Sequence, residues 1–527
     1  MFLVTSEEMQ QIDRQTIESF GLPGRVLMEN AGRGATQIFF DSFHDILNKK
    51  IGVVAGRGNN GGDGFVIARY LFQKQIKVTV YLLSEKNLVK GDAASNLDLL
   101  DVLGVEVIEM PDLDSFEKHK NSMLSKDIWI DAILGTGLKS DVKGYFKDVI
   151  TFINSLKKSV FAVDMPSGLN SDTGQICGIC MQADTTATFA FPKNGHFLYP
   201  GADYTGNLKV VDIGIPQYIV AQVEPLQYLL KAEWICSFFH KRPADIHKGD
   251  TGHLIAVAGS VGKTGAAVMT AISAMRAGAG LVTLAVPESI NHVLETQVIE
   301  AMTHPLPETN GGMLDESSFD MIIDLLKGKK CLAIGPGLGT APGTKMLVQK
   351  IVKESLLPVV IDADGINNIA GNTDILKNNA APVILTPHPK EMSRLTNTTV
   401  SSIQKDRIKS ARNFAVEYNV YVVLKGAGTV IAHPDGKVFI NPTGNSGMAS
   451  GGMGDVLTGI IAGFICQGYS PGLSANAGVY LHGAAADALA EEKMPFGYLA
   501  TDLLKIIPEQ IGRLMEYRDP ETSSLIY

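Results

Sequence analysis

The feature that most constrains the fold of this chain is an alternation of short apolar strands with helices, which occurs twice. In the first series, strands are predicted at 51–55, 77–83, 128–130 and 160–163, with helices between them. The second series begins at 253–259 and continues through 280–286, 331–335, 358–362, 382–386 and 420–424. Such alternation is typical of parallel sheets covered by helices on both faces. The sequence therefore predicts an α/β protein with two three-layer α/β/α domains.

Chain length and loop pattern set the expected domain boundaries. A chain of 527 residues is too long for one hydrophobic core and is expected to hold at least two domains. The first is predicted to span residues 1–217, and a capping box from Thr5 to Glu8 marks its opening helix. Residues 218–230 carry no comparable glycine loop and are predicted to be a linker. The second domain is then predicted to span residues 231–517, with a hairpin turn at Asp435 and Gly436.

Composition excludes several classes of partner. The formal net charge of -9 argues against nucleic acid or an anionic membrane as a partner. No apolar run reaches the roughly 18–20 residues needed to span a bilayer, and residues 1–8 do not resemble a secretory signal. Five cysteines, an odd number, favour a reducing compartment, so we expect a cytoplasmic protein. Cys177 and Cys180 have redox-motif spacing, but their turn-and-strand context does not favour a redox site.

A glycine-rich loop at residues 56–64 (GRGNNGGDG) follows the first predicted strand and opens a helix. It fits the G-x-G-x-x-G pattern of dinucleotide-binding loops, which on its own is a weak signal. Asp63 would add negative charge beside a phosphate, which argues against a pyrophosphate cradle. Its carboxylate and the amides of Asn59 and Asn60 are better suited to bind hydroxyls, amides or a cation.

Two further strand ends in the first half carry carboxylates. Asp131 begins the run DAILGTG, and Asp164 begins the run DMPSG, which contains Ser167. Each aspartate alone is readily explained as a cap or turn residue. Because the carboxyl ends of parallel strands face one crevice, the three loops are expected to converge on a common site.

The most distinctive turn of the second half is NSGMASGGMGD at residues 445–455. Gly451, Gly452 and Gly454 precede Asp455, and the apolar segment 456–464 is predicted to be a buried helix. A glycine-rich turn that opens a helix presents free N–H groups to a phosphate. Asp455 could then take a proton from an attacking hydroxyl, although a simple helix cap explains the same residue equally well.

Other loops of the second half support a nucleotide site. The run KGAGT at 425–429 ends a strand with a basic residue and two glycines, and GPGLG at 335–339 forms another tight turn. His388 lies between two prolines that restrict its backbone. The run GSVGKT at 259–264 is not a Walker A loop, because Val257 occupies the position of the required first glycine. Gly265 and Ala266, at the start of the following helix, instead indicate a close approach of backbone to ligand.

The first-half motifs GRGNNGGDG, DAILGTG, DMPSGL and DIGIP resemble, in order and spacing, the NAD(P)H-hydrate epimerase family over residues 1–217. The resemblance implies a Rossmann-like domain that interconverts the two epimers of hydrated NADH or NADPH. It implies that the hydrate is bound by Asn59, Asn60, Gly61, Gly62, Asp63, Gly135, Thr136, Gly137, Leu138, Lys139, Ser140, Asp141 and Asp164. It also implies a potassium ion held by Asn60, Asp131 and Ser167. Asp164 is the candidate for proton handling at the epimerising carbon. Ser140 and Asp141 replace the basic-proline pair common in the family.

The second-half motifs resemble the ribokinase-like fold over about residues 230–515, and more closely its NAD(P)H-hydrate dehydratase branch. That branch uses ADP to dehydrate the hydrate. The resemblance implies hydrate contacts from Ala266, Gly337, His388 and Asp455, and nucleotide contacts from Lys425, Gly426, Ala427, Gly428, Thr429 and Gly454. Asp455 would be the base, and Asp362 and Asp364 would help to place Mg²⁺ through water. Gly365 and Ile366 depart from the alanine and leucine usual in the family.

The leading hypothesis is a fused repair enzyme in which both halves recognise one damaged cofactor. An alternative is a small-molecule kinase for a vitamin precursor with a regulatory nucleotide-binding N-terminal domain, because that class shares Asp455 and the glycine turn. A third is a non-catalytic N-terminal interaction module, against which the presence of Asp164 beside intact glycine turns argues. The expected ligands are hydrated NADH or NADPH and ADP, with no nucleic acid or membrane partner. A homo-oligomer is also expected.

Overall fold

The structure is a computed structural model that describes residues 1–516. It divides into two compact units, one comprising residues 2–227 and the other beginning at Tyr228. The predicted two-domain α/β fold is confirmed. The segment predicted as a linker, residues 218–230, lies largely within a helix and a strand, and the predicted domain end at residue 517 lies outside the described residues.

The N-terminal unit is built on seven parallel strands. These seven strands are β2 (Lys50–Ala55), β3 (Lys77–Leu82), β4 (Glu106–Glu109), β5 (Ile128–Ala132), β6 (Ser159–Val163), β7 (Thr185–Phe189) and β8 (Asn207–Val211). The two-residue strand β1 (Phe2–Leu3) precedes them and is not part of this sheet. The helices of this unit are α1 (Ser6–Glu18), α2 (Gly24–Ser42), α3 (Asn59–Gln73), α4 (Gly91–Leu103), α5 (Leu113–Leu124), α6 (Tyr145–Ser155), α7 (Gly201–Thr205) and α8 (Gln217–Val223). The sheet order is β4-β3-β2-β5-β6-β7-β8, and every pairing in it is parallel.

Local sequence signals explain how the first elements of this unit begin. The predicted capping box is confirmed: the Thr5 N–H donates to Glu8 Oε2 at 2.7 Å, and the Glu8 N–H donates to Thr5 Oγ1 at 3.2 Å. Strand β2 is buried beyond Lys50, as its continuous apolar run predicts for a strand inside a parallel sheet. Residues 56–58 of the glycine run form the turn after β2, and residues 59–64 are already the start of α3, so the run lies at the carboxyl edge of the sheet.

The C-terminal unit contains a larger mixed sheet. Its strands are β9 (Gln227–Leu229), β10 (His253–Val257), β11 (Leu281–Pro287), β12 (Met302–Leu306), β13 (Cys331–Ile334), β14 (Val359–Ile361), β15 (Val383–Leu385), β16 (Tyr421–Leu424), β17 (Val430–Ala432) and β18 (Val438–Ile440). They are ordered β9-β18-β17-β16-β15-β14-β13-β10-β11-β12. Strands β10 to β16 pair in parallel, and β16, β17 and β18 pair antiparallel. The hairpin predicted at Asp435 and Gly436 is confirmed.

Helices cover this second sheet. They are α9 (Ala232–Cys236), α10 (Thr264–Arg276), α11 (Glu288–Gln297), α12 (Phe319–Leu325), α13 (Pro342–Glu354), α14 (Asp364–Ile369), α15 (Pro389–Leu395), α16 (Val400–Lys405), α17 (Arg407–Tyr418), α18 (Met453–Cys466), α19 (Pro471–Lys493) and α20 (Ala500–Glu516). The predicted buried helix after Asp455 is confirmed as α18. Within residues 1–516, no helix has the length and apolar character required to cross a bilayer.

Close packing of α18 on α10 positions the glycine turn that precedes it. A Cβ atom added to Gly459 would lie 1.9 Å from Ser273 Oγ and 2.2 Å from the Thr270 carbonyl oxygen. A Cβ added to Gly463 would lie 2.7 Å from the Ala274 carbonyl oxygen. Only glycine permits this approach, because larger side chains would force the helices apart. The start of α18, and Asp455 with it, is thereby held beside the carboxyl edge of the sheet.

Candidate active sites

The N-terminal unit has a cleft of about 1170 Å³ at the carboxyl edge of its sheet. The loops that follow β2, β5 and β6 all reach it, which confirms the convergence expected from the strand ends. Those of the predicted site residues that line the cleft are Asn59, Asn60, Asp63, Gly135, Thr136, Gly137, Leu138, Lys139, Ser140 and Asp164. Helix α1 contributes Asp13, and the segment after β7 contributes Lys193.

Five predicted site residues, among them the fully buried Asp131, are not part of this lining. Gly61 is buried, and a Cβ on it would lie 1.9 Å from the Gly56 carbonyl oxygen, so this glycine permits backbone packing within the loop. Gly62 is buried against Met28 and Ala93. Asp141 is exposed and outside the cleft lining, and Ser167 is fully buried. The residues that line the cleft are therefore fewer than the residues that the motifs predicted as substrate or metal contacts.

Asp164 is held in a constrained conformation by a buried lysine. Its φ of +62° lies in the left-handed region, which is uncommon for a residue other than glycine. Lys193 Nζ donates to Asp164 Oδ1 at 2.5 Å, and Thr188 Oγ1 donates to the same oxygen at 2.9 Å. Burial alone would raise the pKa of Asp164, but the Lys193 ammonium outweighs it and holds the pKa below the usual value. Asp164 is therefore ionised at neutral pH.

Two other carboxyl groups of the cleft have the opposite electrostatic environment. Burial and the nearby charges of Asp164 and Asp13 raise the pKa of Asp63 well above its usual value. Burial also raises the pKa of Asp13 to about 6, although Lys193 opposes the shift. The sequence analysis identified neither Asp13 nor Lys193. The only signal for Lys193 was a lysine placed among apolar residues, because its partner Asp164 is 29 positions away in the chain.

Asp131 and Ser167 form a hydrogen-bonded pair, and the Leu134 N–H donates to Ser167 Oγ at 2.9 Å. Asn60 lies against the next residue of that loop, because a Cβ on Gly135 would lie 3.5 Å from Asn60 Oδ1. Asp131 accepts hydrogen bonds from the Ser167 N–H at 2.7 Å and from Ser167 Oγ at 2.6 Å. Burial raises the pKa of Asp131 to about 6, partly offset by these hydrogen bonds. Both side-chain polar atoms of Asn60 are buried without a hydrogen-bond partner among residues 1–516. A buried amide oxygen without a partner, near a carboxylate and a hydroxyl, is a donor set that fits a cation.

In the C-terminal unit, Asp455 lies in the first turn of α18, after Gly452 at a φ of +90°. Burial, followed by the negative charge of Asp362, raises the pKa of Asp455 to about 7. A carboxyl group with a pKa near the working pH suits a general base. Helix capping alone does not account for this environment, because cap carboxylates are normally stabilised in their ionised form.

Lys425 connects the nucleotide loop to the start of α18. Its Nζ donates to Asp362 Oδ1 at 2.6 Å, and a Cβ on Gly454 would lie 3.2 Å from the same Nζ. Burial would lower the pKa of Lys425, but Asp362 and Glu391 raise it above the usual value, so the lysine stays charged. Lys425 and Gly454, both predicted nucleotide contacts, are thus brought together.

The remaining nucleotide loop is supported by a residue that the sequence analysis missed. Buried Arg407 donates from Nη2 to the carbonyl oxygens of Leu424 at 2.9 Å and Lys425 at 3.2 Å. Gly426 has a φ of +140°, and a Cβ on it would lie 3.0 Å from Arg407 Nη1. The arginine therefore fixes the backbone of KGAGT at the end of β16.

Three of the predicted hydrate contacts of this unit are Ala266, Gly337 and His388. A Cβ on Gly337 would lie 3.1 Å from Ala266 Cβ, so these two residues are neighbours. His388 caps α15, and its Nδ1 accepts from the backbone N–H groups of Lys390 at 3.1 Å and Glu391 at 3.2 Å. Burial and Lys425 lower the pKa of His388. The neutral ring therefore carries its proton on Nε2.

Asp362 and Asp364, the predicted magnesium-placing pair, differ in their surroundings. Asp362 is fully buried and accepts from Thr386 Oγ1 at 2.7 Å and Thr458 Oγ1 at 3.0 Å, in addition to Lys425. Asp364 is partly exposed and accepts from Lys263 Nζ and the Gly339 N–H, both at 2.9 Å. Asp362 thus orients Lys425, whereas Asp364 remains accessible from solvent.

Both units place glycine turns and carboxylates at the carboxyl edge of a parallel sheet, which defines a two-site enzyme for nucleotide-like substrates. Family models divide the chain in the same way: residues 24–195 match the model described as YjeF-related protein N-terminus, and residues 254–509 match NAD(P)H-hydrate dehydratase. The chain belongs to the family of bifunctional NAD(P)H-hydrate repair enzymes. This finding confirms the resemblance found in the sequence.

The relatives match the chain over nearly its whole length. The bifunctional NAD(P)H-hydrate repair enzyme of Moorella thermoacetica is 44% identical over 98% of this chain and 98% of its own length. The Escherichia coli enzyme of the same name is 35% identical, over 98% and 96% respectively. A crystal structure of the ADP/ATP-dependent NAD(P)H-hydrate dehydratase from Bacillus subtilis, with ATP and Mg²⁺, is 33% identical with a TM-score of 0.48. It covers 55% of this chain and 98% of that chain.

Proposed function

We propose that this protein repairs hydrated NADH and NADPH. The N-terminal unit interconverts the R and S hydrates, and the C-terminal unit dehydrates the S form with ADP, giving AMP and phosphate. The observation that carries the proposal is that each unit has one carboxylate whose surroundings suit proton transfer: Asp164 beside Lys193 in the cleft, and Asp455 at the start of α18. Fusion of the two halves delivers both epimers to a stereospecific dehydratase.

In the dehydratase site, Asp455 takes the proton of the hydrate hydroxyl. The oxygen attacks the terminal phosphorus of ADP and AMP leaves, so the hydroxyl becomes a phosphate ester. The N–H groups of the Gly452–Gly454 turn and the Lys425 ammonium stabilise the negative charge that develops on the transferred group. Phosphate then departs with the C–O electron pair while the ring nitrogen lone pair forms C=N⁺. Loss of a proton from the adjacent carbon restores NAD(P)H.

Ligand contacts in this unit follow from the same arrangement. The KGAGT loop, fixed by Arg407, and Gly454 hold the adenine nucleotide, whereas Ala266, Gly337 and His388 hold the hydrate. Asp364, with Asp362 behind it, would hold Mg²⁺ through water, because its carboxylate is partly exposed. The ion would neutralise phosphate charge during transfer.

In the epimerase site, Asp164 transfers the proton that accompanies inversion at the hydroxyl-bearing carbon. The cleft-lining residues of the 59–63 and 135–140 loops bind the hydrated dinucleotide. A potassium ion would be held by Asn60, Asp131 and Ser167, because the buried Asn60 amide oxygen otherwise lacks a partner. The ion would fix the positions of these residues relative to one another beside the substrate. A cytoplasmic location is proposed on the five free cysteines, and a homo-oligomeric state stays a prediction.

The direct test is to incubate separated R and S hydrates of NADH with the protein and ADP, and to follow recovery of NADH absorbance. We expect the S hydrate to be converted at once and the R hydrate after epimerisation. ATP is tested in parallel, because comparison of the rates with ADP and with ATP shows which nucleotide donates the phosphate. Absence of NADH formation, with phosphorylation of a vitamin precursor instead, would establish the kinase alternative.

The potassium site makes a prediction about stability. Replacing K⁺ by choline is expected to lower the melting temperature of the N-terminal unit and slow epimer exchange, because a bound ion stabilises the folded state. At about 100 times its dissociation constant, a ligand contributes about 2.7 kcal/mol. Asn60→Ala should remove the K⁺-dependent increment, whereas exposed Asn48→Ala should retain it. Identical melting of the wild type in both salts would show that the site holds no potassium ion.

A further inference from the structure

The charges in the epimerase cleft are unevenly matched. Asp13, Asp63 and Asp164 line the same cleft as two lysines, the exposed Lys139 and the buried Lys193. Lys193 is only 1% exposed, and its Nζ donates to Asp164 Oδ1 at 2.5 Å, Thr188 Oγ1 at 2.9 Å and the Phe189 carbonyl oxygen at 3.2 Å. The side-chain carboxyl groups of Asp13 and Asp63 make no hydrogen bond within residues 1–516. One carboxylate is thus fixed by the cation, and two carboxyl groups are free to meet a ligand.

This arrangement separates the protonation states of the carboxyl groups. The Lys193 ammonium holds the pKa of Asp164 below its usual value in spite of burial, whereas burial raises the pKa of Asp63 well above its own. His196, whose Nε2 lies 3.0 Å from the Asp164 carbonyl oxygen, has its pKa lowered to about 3 by burial and by Lys193, so it is neutral. The surroundings therefore favour the ionised form of Asp164 and the protonated form of Asp63.

We propose that Lys193 is a positioning residue that gives two cleft carboxyl groups opposite roles, Asp164 as the base and Asp63 as the acid of the epimerisation. This inference rests on the proposed epimerase function and deepens it. The family resemblance implies only that Asp63 contacts the substrate. The proposal adds the role of Asp63 as the acid and the dependence of both roles on Lys193. An enzyme that must remove a hydroxyl and return it to the other face needs one group of each kind.

The proposed reaction balances within the cleft. Asp63 donates its proton to the hydrate hydroxyl, the C–O bond breaks, and the hydroxyl leaves as water. The lone pair of the ring nitrogen forms C=N⁺ as that bond breaks. A water molecule then adds from the opposite face, the nitrogen recovers its lone pair, and Asp164 takes the proton released by the water. The configuration is inverted, and the reverse reaction uses the two carboxyl groups in exchanged roles.

A purely structural ion pair would give a different pH dependence. If Lys193 only stabilises the fold, its removal should lower stability without moving the pH profile of the residual activity. If Lys193 keeps Asp164 ionised, its removal leaves Asp164 subject to desolvation by burial and to the negative charge of Asp13. The pKa of Asp164 then rises. Because the base acts only when ionised, activity would be lost at a higher pH on acidification.

The test is Lys193→Met in the full chain, assayed for exchange between the separated epimers without ADP, so that the dehydratase is silent. At neutral pH we expect a loss of about 10²-fold, the lower range for acid–base catalysis. The acidic side of the pH–rate profile of Lys193→Met should move to higher pH, and its rate should recover partly in alkaline solution. Asp63→Asn should lower the rate at every pH and remove the alkaline limb, since no acid remains to be deprotonated.

Two other variants keep the test decisive. Lys126→Met removes another buried ammonium, which donates to Thr79 Oγ1 at 2.7 Å outside the cleft, and should leave exchange unchanged. If Lys193→Met does not fold, Thr188→Val, which removes the hydroxyl shared by Lys193 and Asp164, should move the acid limb in the same direction. The inference would be overturned if a folded Lys193→Met protein had the wild-type pH profile. If that variant does not fold, the same result with Thr188→Val would overturn it. Absence of exchange in the wild type would instead refute the epimerase function.

Discussion

Asp455→Asn is expected to abolish recovery of NADH from the S hydrate while epimer exchange continues. The amide cannot accept the hydroxyl proton, so the rate should fall by about 10²–10⁴-fold. Recovery of NADH absorbance with ADP measures the loss, and chromatography of the epimers without ADP measures the retained activity. Asn also removes a charge from a buried position, so the variant should be at least as stable as the wild type in alkaline solution.

The same residue predicts a pH dependence for the wild-type dehydratase. Burial and Asp362 raise the pKa of Asp455 to about 7, and only its ionised form acts as a base. The rate should therefore fall as the pH decreases through about 7 and level off above it. Asp435→Asn, in the exposed hairpin turn, is the control and should retain both rate and profile. An Asp455→Asn protein that recovers NADH at the wild-type rate would exclude Asp455 as the base.

Asp164→Asn is expected to have the opposite pattern, with epimer exchange reduced by about 10²–10⁴-fold and dehydration of the S hydrate unchanged. The substitution also leaves the Lys193 ammonium buried without its counter-charge, which typically costs about 3–5 kcal/mol. Lower melting of the N-terminal unit should therefore accompany the loss of exchange. Supplying pure R hydrate with ADP separates the halves, because the variant can use it only as fast as the epimers interconvert spontaneously.

Asp98→Asn, on the exposed side of α4, provides the matched control and should keep both activities and the wild-type melting temperature. If Asp164→Asn remained folded and exchanged the epimers normally, Asp164 would have no part in proton transfer. If it lost dehydration of the S hydrate as well, the two sites would not act separately.

Much of the fold was predictable because its signals are local. The capping box from Thr5 to Glu8, the buried apolar segment after Asp455 and the turn at Gly436 each depend on a few neighbouring residues. The convergence of the loops that follow β2, β5 and β6 was predictable for a related reason, since parallel strands place their carboxyl ends at one edge. The helix and strand within the predicted linker were missed because that segment carries no comparable pattern.

The candidate sites were only partly predictable. Motifs predicted Asp164, Asp455, the KGAGT loop, Gly61 and Gly62 as site residues; the structure places Asp164 in the cleft lining and buries Gly61 and Gly62. Asp13 and Arg407 carry no motif signal, because each reaches its site from a helix distant in the chain.

The sequence by itself determined two α/β domains, with a glycine turn after Asp164 and another ahead of Asp455, because strand periodicity and glycine conformation are properties of neighbouring residues. Only the tertiary structure decided which carboxyl groups are charged. Asp164 is ionised by Lys193, 29 positions along the chain, whereas Asp63 and Asp455 are held toward their protonated forms by burial and neighbouring carboxylates. Desolvation and Coulomb energies depend on distances in space, which the order of residues does not specify.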